Sequence, residues 1–363
     1  MGFNCGIVGL PNVGKSTLFN ALTQTAAAEA ANYSFCTIEP NVGRVGVPDE
    51  RLNSLAKIAK SEKIIPTQLD IVDIAGLVKG ASKGEGLGNQ FLGNIRNTDA
   101  ILHVVRCFQN DDVVHVNGSV DPVRDIDTID MELMLSDIDT LERRLATINK
   151  KKGADIDKEK NIINLIKKTL EDGNLASSLK FSDSEESIVN GLNLLTRKPV
   201  LYVCNVNEDD VSQGNEFTEQ VNTLAKKRNS NIVIVSAAIE SEIAIMDSQE
   251  EKDEFIQSLG LSESGLSKII KGGYSLLDLI TFFTIGPKEA HAWTTRSDAT
   301  APIAAGVIHT DFERGFICAE TISFEDYIKY CGESGAKAAG KMRLEGKGYK
   351  VQDGDVFHFR FNV

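Results

Sequence analysis

A glycine-rich segment near the amino terminus carries residue types that can hold a phosphate group. Residues 9–17 read G-L-P-N-V-G-K-S-T, which fits the pattern G-x-x-x-x-G-K-[ST] without a mismatch. Glycines let successive backbone N–H groups turn towards phosphate oxygens, and a following helix start adds partial positive charge. Lys15 is predicted to reach the β- and γ-phosphates, and the Ser16 hydroxyl to bind Mg²⁺. The predicted nucleotide contacts of this segment are Asn12, Val13, Gly14, Lys15, Ser16 and Thr17.

The residues on both sides of this segment support the same interpretation. The apolar run at residues 5–8 predicts a buried strand before it, and residues 18–22 predict the beginning of a helix after it. The phosphate-binding pattern requires this order of strand, loop and helix. A chance glycine-rich turn with a solvated lysine is the competing interpretation, and the flanking elements count against it.

A second pattern, D-x-x-G, follows the predicted strand at residues 68–73. Residues 73–76 read D-I-A-G, so Asp73 is expected to hold Mg²⁺ through a water and the Gly76 N–H to sense the γ-phosphate. The next twelve residues, 77–88, are rich in glycine. Glycine lowers the cost of rearranging a loop and raises the cost of ordering it. A segment that orders only when triphosphate is bound has this composition.

Thr37 is the candidate for a residue that closes over Mg²⁺ and the γ-phosphate. It lies in a predicted loop, residues 32–41, between the first helix and a short strand at residues 43–47. In a Ras-like nucleotidase this loop is the first switch. A single threonine is a weak signal, so an ordinary surface threonine stays open as the alternative.

The residue after D-x-x-G is Leu77, where Ras-type enzymes carry a glutamine that positions the attacking water. Leucine cannot hydrogen-bond a water, so hydrolysis is expected to be slow or to use another group. His115 is one candidate for this catalytic role, because it follows the predicted strand at residues 100–106 closely. An ordinary loop histidine is the more common arrangement, and both interpretations stay open.

The residues that select the base follow the predicted strand at residues 199–204. They read N-V-N-E where GTPases carry N-K-x-D, so Val206 replaces the lysine that covers the base and Glu208 replaces the aspartate. The extra methylene of Glu208 moves its carboxylate out of register with guanine. Asn205 can instead pair its amide with N6 and N7 of adenine. ATP is therefore at least as good a candidate ligand as GTP.

The last predicted strand of this sheet, residues 231–235, leads into a further part of the base pocket. Ser236 and Ala237 follow it directly, in an S-A-x pattern. We expect backbone N–H groups of this segment to line the pocket.

The pattern changes from strands to helices between about residues 125 and 197. Apolar residues recur there at helical spacing on both sides of the sequence K-K-K-G at residues 150–153. This pattern predicts an antiparallel helical hairpin, inserted into the nucleotide domain, with a basic tip at Lys150–Lys152. A solvated tip and a nucleic-acid contact are equally open interpretations of these lysines.

The last part of the chain predicts a small mixed sheet with one or two helices. Strand-like alternation occurs at residues 306–309 and 356–361, and residues 323–330 and 335–342 have a helical pattern. Lysine and arginine residues cluster between residues 337 and 347. A solvated face explains this cluster about as well as an RNA contact does.

Composition limits the classes of protein that fit. A chain of 363 residues suggests two or three domains, and 42% hydrophobic with 25% charged residues is ordinary for a globular protein. We expect no membrane span and no signal peptide, because neither apolar pattern occurs. Six scattered cysteines fit a reduced, cytoplasmic setting. The formal net charge of −13 argues against general coating of nucleic acid, although a local basic patch remains compatible with it.

Over nearly its full length, the chain resembles the YchF subfamily of Obg-like P-loop ATPases. The ending of the chain resembles a TGS domain. The motifs that carry the resemblance lie at residues 9–17, 35–41, 73–81 and 205–208. It implies an α/β fold: a Ras-like P-loop nucleotidase domain (residues 1–278) with an inserted antiparallel helical hairpin (about 125–197) and a C-terminal α+β TGS domain (279–363).

The resemblance also implies ATP binding favoured over GTP, and association with ribosomes or ribosomal RNA. Together with the motifs, it predicts an ATP-binding, slowly ATP-hydrolysing molecular switch that is expected to be a monomer. Mg²⁺ is the expected cofactor, and K⁺, coordinated with help from Asn12, is a further candidate. A GTP-dependent Obg-type switch and a nucleotide-gated binding protein with negligible turnover remain the alternatives.

Overall fold

The fold is seen in a computed structural model that describes residues 3–30, 41–74, 87–110, 115–116, 118–150 and 153–362. Several predicted residues lie outside these ranges: Thr37, Gly76, Leu77, Lys151 and Lys152. Their proposed roles in sensing the γ-phosphate, in slow hydrolysis and in RNA contact therefore stay predictions.

Strands and helices alternate through the first part of the chain. The strands within the described residues are β1 (Asn4–Val8), β2 (Val42–Gly46), β3 (Lys63–Ile65), β4 (Gln68–Asp73), β5 (Ala100–Arg106), β6 (Val200–Asn205), β7 (Asn231–Val235), β8 (Leu279–Ile285), β9 (Glu289–Arg296), β10 (Phe316–Ile322), β11 (Arg343–Glu345) and β12 (Val356–Phe361). The helices in the same residues are α1 (Lys15–Ala30), α2 (Glu50–Ala59), α3 (Leu87–Arg96), α4 (Pro122–Ile148), α5 (Ala154–Glu171), α6 (Asp183–Gly191), α7 (Glu216–Lys227), α8 (Ala237–Ala244), α9 (Gln249–Ser258), α10 (Gly265–Leu276), α11 (Ala301–Ile308), α12 (Thr310–Arg314), α13 (Phe324–Lys329) and α14 (Glu333–Ala338). Short 3₁₀ helices lie at Ala176–Ser178, Leu195–Arg197 and Glu208–Asp210.

The first sheet has the strand order β2-β4-β1-β5-β6-β7. Its neighbouring strands are parallel except β2, which is antiparallel to β4. Every residue of β5 is buried, as expected for a parallel sheet with helices on both faces. The predicted α/β fold is confirmed, and the predicted strands of this sheet lie within one residue of their observed positions.

Helices α4 and α5 form the predicted hairpin. They are joined by residues 149–153 and share a buried apolar cluster, which includes Leu141, Ile148, Ile162, Ile163, Ile166 and Leu170. The hairpin begins slightly before the predicted position, because the side chain of Asp121 caps α4 by accepting a hydrogen bond from the Arg124 N–H. Although α4 spans 27 residues, no helix among the described residues is long and apolar enough to cross a membrane.

A buried carboxylate fastens this hairpin to the segment that returns to the sheet. Asp137 of α4 has no exposed surface. It accepts hydrogen bonds from the Leu195 N–H at 2.9 Å, the Thr196 N–H at 2.8 Å and the Thr196 hydroxyl at 2.7 Å. Burial raises the pKa of the Asp137 carboxyl, while the three donors oppose that rise. Since Leu195 and Thr196 lie only a few residues before β6, which begins at Val200, the contact helps to fix where the chain re-enters the first sheet.

The second sheet has the strand order β11-β10-β12-β8-β9-β3. Its last strand, β3, comes from the first part of the chain and pairs in parallel with β9. Residues 279–363 therefore do not build this sheet alone, a feature that the sequence did not reveal. The predicted domain boundary at residue 278 stays a prediction.

The strand expected at residues 306–309 is wrong, because these residues lie in and just after helix α11. Thr300 occupies the N-cap position and proline stands in the first turn, which favours helix initiation. The buried residues of α11 are Ala301, Ala304 and Ala305, at helical spacing. Small side chains at this spacing carry a weak apolar signal, so the short alternation after them was misleading.

Replacing Asp137 with alanine tests the carboxylate contact. We expect Asp137→Ala to lower the free energy of unfolding by at least about 1–3 kcal/mol, the cost of one buried donor left unpaired. Urea unfolding followed by circular dichroism measures the change. Asp139→Ala is the matched control, because Asp139 lies on the same helix in an exposed pair with Arg143. Its effect is expected to stay within about 0.5 kcal/mol, and equal losses in both variants would contradict the assignment.

Candidate functional site

The predicted phosphate and base residues meet at the carboxyl edge of the first sheet. The glycine-rich segment follows β1, Asp73 ends β4, and Asn205 ends β6. Ligands of open α/β sheets bind outside this edge of the strands. Because β1 and β4 pair in parallel with Ile7 opposite Asp73, the carboxylate lies beside the start of the phosphate-binding segment.

Backbone conformation explains why the phosphate-binding segment needs glycine at its end. Gly14 has a φ of 92°, and a Cβ atom there would lie 2.2 Å from Nδ2 of Asn205. Any larger residue would therefore be strained and would collide with a buried side chain. Asn12 also has a positive φ, 61°, a region that asparagine tolerates better than most residues. Helix α1 begins directly afterwards, with the Leu18 N–H donating to the Gly14 carbonyl at 3.0 Å.

Lys15 and Asp73 form an ion pair at the first turn of α1. Lys15 is largely buried, with 8% of its surface exposed, whereas Ser16 and Thr17 are exposed. The structure thus brings together the lysine predicted to bind phosphate and the carboxylate predicted to hold Mg²⁺. A serine hydroxyl and a carboxylate are hard oxygen donors of the kind that Mg²⁺ takes together with nucleotide phosphates. The donor set therefore fits the predicted ion.

Asn205, the residue predicted to read the base, makes two hydrogen bonds within the protein. It is 3% exposed, its Nδ2 donates to the Val13 carbonyl at 2.9 Å, and its Oδ1 accepts from the Ala237 N–H at 2.9 Å. Each end of the amide therefore has one partner inside the protein, and the bidentate pair with adenine stays a prediction. The side chain ties the phosphate-binding segment to the loop after β7.

Most of the other residues predicted to contact the base are buried or hydrogen-bonded within the protein. Val206 packs in a buried cluster, and its N–H donates to the Val235 carbonyl at 2.8 Å. Ser236 is buried. The Ala237 N–H, which is predicted to line the base pocket, donates a hydrogen bond to Oδ1 of Asn205. Glu208 is exposed at the start of a 3₁₀ helix. Val206, Ser236 and Ala237 are thus packed or hydrogen-bonded within the protein, and their proposed direct contacts with a base stay predictions.

His115 is held against a carboxylate. Its Nε2 lies 2.8 Å from Oδ2 of Asp125, and both side chains are nearly inaccessible to solvent. Asp125 lies in the first turn of α4. This pairing favours the interpretation of a buried histidine with a satisfied partner over that of a histidine presented to a phosphate. A catalytic role for His115 stays a prediction.

The sequence patterns did not predict one buried carboxylate, which lies on the helix that begins at Ala237. Glu240 of α8 has no exposed surface and accepts hydrogen bonds from the Gly265 N–H at 2.7 Å and the Leu266 N–H at 3.1 Å. Burial raises the pKa of this carboxyl, and the two backbone donors oppose the rise. The contact caps α10 and fixes it to the helix that follows Ala237. A serine at the N-cap, Ser264, marks the start of α10, but no local pattern identifies the distant carboxylate.

Two family models match the chain in the regions that the motifs delimit. The model described as "50S ribosome-binding GTPase" matches residues 4–206. A second model, named for the C-terminal part of YchF GTPases and described as "Protein of unknown function (DUF933)", matches residues 279–362.

Individual proteins match along the whole chain. Proteins named "Ribosome-binding ATPase YchF" from Pasteurella multocida and Bacillus subtilis are 58% and 53% identical to it, and each alignment covers 100% of both chains. A solved structure of the Schizosaccharomyces pombe YchF GTPase superimposes with a TM-score of 0.89 at 39% identity, covering 99% of this chain and 98% of that one. Full-length agreement in sequence and structure shows that this chain belongs to the YchF family of P-loop nucleotidases.

Proposed function

We propose that the protein is an ATP-binding, slowly ATP-hydrolysing switch that associates with ribosomes. The observation that carries the proposal is the juxtaposition of Lys15, Asp73 and the exposed Ser16 at the carboxyl edge of the first sheet. The name "Ribosome-binding ATPase", borne by bacterial relatives that are 53–58% identical to the chain, supports both parts of it.

Binding of a nucleoside triphosphate would exchange one set of contacts for another. Lys15 would turn from Asp73 to the β- and γ-phosphates, and the backbone N–H groups of residues 12–17 would surround the phosphate oxygens. Ser16, and Asp73 through a water, would hold Mg²⁺, which neutralises charge on the phosphates when bound. Thr37 and the Gly76 N–H would complete the contacts at the γ-phosphate.

The preference for ATP in this proposal rests on the loop after β6, which lacks the two residues that recognise guanine in GTPases. Val206 and Glu208 stand where GTPases carry the lysine and aspartate that recognise guanine, so neither guanine contact is available. Asn205 would act indirectly by holding the phosphate-binding segment and the Ala237 loop in register. A GTP-dependent switch is the second candidate, and it is favoured by the fission yeast relative, which is described as a YchF GTPase.

Turnover in this proposal is slow, because Leu77 cannot position a water. His115 would contribute only after leaving Asp125, since the pair buries its ring. K⁺ beside Asn12 is a further candidate for accelerating hydrolysis. We further propose that the protein is cytoplasmic and monomeric. We also propose that it contacts ribosomal RNA on the ribosome.

Replacing Lys15 tests the phosphate site. We expect Lys15→Ala to weaken ATP binding or reduce phosphate release by about 100-fold or more, because a preorganised cation in a nearly dry site is lost. Titration with ATP and a phosphate-release assay measure both quantities, and circular dichroism checks the fold. Lys226→Ala is the matched control, since Lys226 is exposed on α7. Unchanged ATPase activity in Lys15→Ala would refute the site.

Co-sedimentation with ribosomes tests the partner. We expect more protein to pellet with a non-hydrolysable ATP analogue than with ADP, and less after the tip lysines at residues 150–152 are changed to alanine. Contact with RNA phosphates releases counterions, so each lost contact should reduce the slope of log affinity against log salt by about 0.7–0.9.

Alanine replacement of the exposed residues Lys226 and Lys227 provides the charge control for this experiment. Pelleting that is indifferent to the nucleotide in every condition would contradict the switch. If the variant with the tip lysines replaced pellets as much as the unaltered protein, the tip is not part of the ribosome contact, and the rest of the proposal stands.

A further inference from the structure

Helix α2 and strand β3 occupy an unusual place in the chain. They lie between β2 and β4, which pair antiparallel from Val42–Val72 to Gly46–Gln68. The hairpin formed by β2 and β4 is closed at one end by the Val47 N–H, which donates to the Thr67 carbonyl at 2.9 Å. At its other end, the Asp73 N–H donates to the Asn41 carbonyl at 2.8 Å. A continuously bonded hairpin thus runs from Asp73 at the nucleotide site to the base of α2.

The far end of this hairpin is built into the second sheet. Strand β3 pairs with β9, with Lys63 opposite Glu289 and Ile65 opposite His291. The Ser61 hydroxyl adds a hydrogen bond of 2.7 Å to the Gly286 carbonyl. These contacts make β3 the last strand of the second sheet.

Apolar packing fixes α2 on the face of that sheet. Leu55 is completely buried. One buried cluster contains residues from α2 and residues from the second sheet and its helices, including Leu52, Leu55, Ala56, Phe283, Ala290, Ala292, Ile322, Tyr327 and Val356. Side chains in such a cluster interlock at the density of a protein interior, so α2 and the second sheet share one packed core.

Arg51 adds a polar contact between α2 and the C-terminal residues. Its guanidinium donates to Asp49, the N-cap residue of α2, and to Oδ2 of Asp353 at 2.7 Å. It also lies over the ring of Phe283, 5.5 Å from the centroid. Asp353 in turn accepts from the Thr281 N–H of β8 at 2.9 Å. Hydrogen bonds from Arg51 to Asp49 and Asp353 raise the pKa of Arg51 further above its usual value.

We infer that residues 49–65 form a lever that transmits the nucleotide state from Asp73, through the β2–β4 hairpin, to the C-terminal sheet, with Arg51 and Asp353 as its latch. The β2–β4 hairpin reaches Asp73 and its ion pair with Lys15 at one end, and at the other end it leads into the lever, which packs in the core of the second sheet. A ligand that moves Asp73 must therefore strain or displace the sheet contacts. This inference rests on the proposed nucleotide switch and specifies how the second sheet is regulated.

Thermodynamic linkage makes the lever reciprocal. If triphosphate changes the equilibrium for docking of α2 on the second sheet, docking changes the affinity for triphosphate by the same factor, and a variant that weakens docking changes that affinity by up to this factor. Ordinary coupling between sites lies at about 5–150-fold in affinity. Arg51 contacts Asp49, Asp353 and Phe283, none of which belongs to the phosphate-binding segment, so a direct effect on phosphate contacts is not expected from its replacement.

Hydrogen–deuterium exchange of the full chain, with saturating non-hydrolysable ATP analogue or with ADP, tests the lever. Peptides covering residues 5–22 report nucleotide binding, and peptides covering residues 279–296 and 351–361 report the C-terminal sheet. We expect both sets to differ between the two nucleotides in the unaltered protein. In Arg51→Gln, we expect the C-terminal difference to be lost and the preference for analogue over ADP to change by about 5-fold or more.

Arg360→Gln is the matched control, because Arg360 makes an exposed ion pair with Glu320 across β10 and β12, away from α2. Asp353→Asn is a second test variant that removes the charge while keeping an acceptor for the Thr281 N–H. We expect the control to retain the C-terminal difference and Asp353→Asn to lose it.

Each remaining result overturns a defined part of the proposal. Nucleotide-dependent protection at residues 5–22 without a C-terminal difference would refute the lever and leave the proposed function standing. A C-terminal difference that persists in both Arg51→Gln and Asp353→Asn would refute the latch. Equal loss in Arg360→Gln would show general weakening of the sheet and would also refute it. Absence of any protection at residues 5–22 would refute the proposed function, and the lever with it.

Discussion

The parallel pairing of β1 with β4 is the constraint on which the rest of the structure depends. It brings Lys15 and Asp73, which are 58 residues apart in the chain, into one ion pair at the carboxyl edge of the sheet. A lysine and a carboxylate that face each other in a largely buried position compensate each other's desolvation. They also mark the point at which a phosphate and its metal ion can enter by exchanging partners.

Buried polar side chains secure the elements around this pair. Asn205 joins two loops at the sheet edge, Asp137 attaches the helical hairpin, and Glu240 attaches α10. Each accepts hydrogen bonds from backbone N–H groups of a segment distant in sequence, which would otherwise be buried without partners. The segments that carry the proposed function are thus held by specific contacts as well as by the apolar core.

Local patterns predicted the first sheet, the hairpin and the phosphate-binding segment because their signals lie within short windows. Apolar runs mark the strands, and the residue types of the phosphate-binding segment, residues 9–17, are dictated by phosphate geometry. The role of Asn205 could not be predicted, since its partners are backbone groups of Val13 and Ala237, which come together only in the folded chain. The strand predicted at residues 306–309 is wrong because the helix that includes most of them, α11, buries alanines, whose apolar signal is weak.

The contribution of α2 and β3 to the second sheet is the largest feature that sequence patterns did not reveal. β3 has only three residues and pairs with a strand more than two hundred positions away, so periodicity carries no information about its partner. The family model that matches residues 279–362 covers one continuous stretch of sequence, so it does not include β3 either. The second sheet crosses that boundary, because its last strand, β3, comes from the first part of the chain.

A direct comparison of ATP and GTP affinities by calorimetric titration, in Mg²⁺ and with non-hydrolysable analogues, tests the central claim most directly. Because Val206 and Glu208 supply neither guanine contact of the GTPases, we predict that ATP binds at least as tightly as GTP. GTP binding tighter than ATP by about 10-fold or more, which is about 1.4 kcal/mol, would contradict an ATP-driven switch and favour the GTP-dependent alternative.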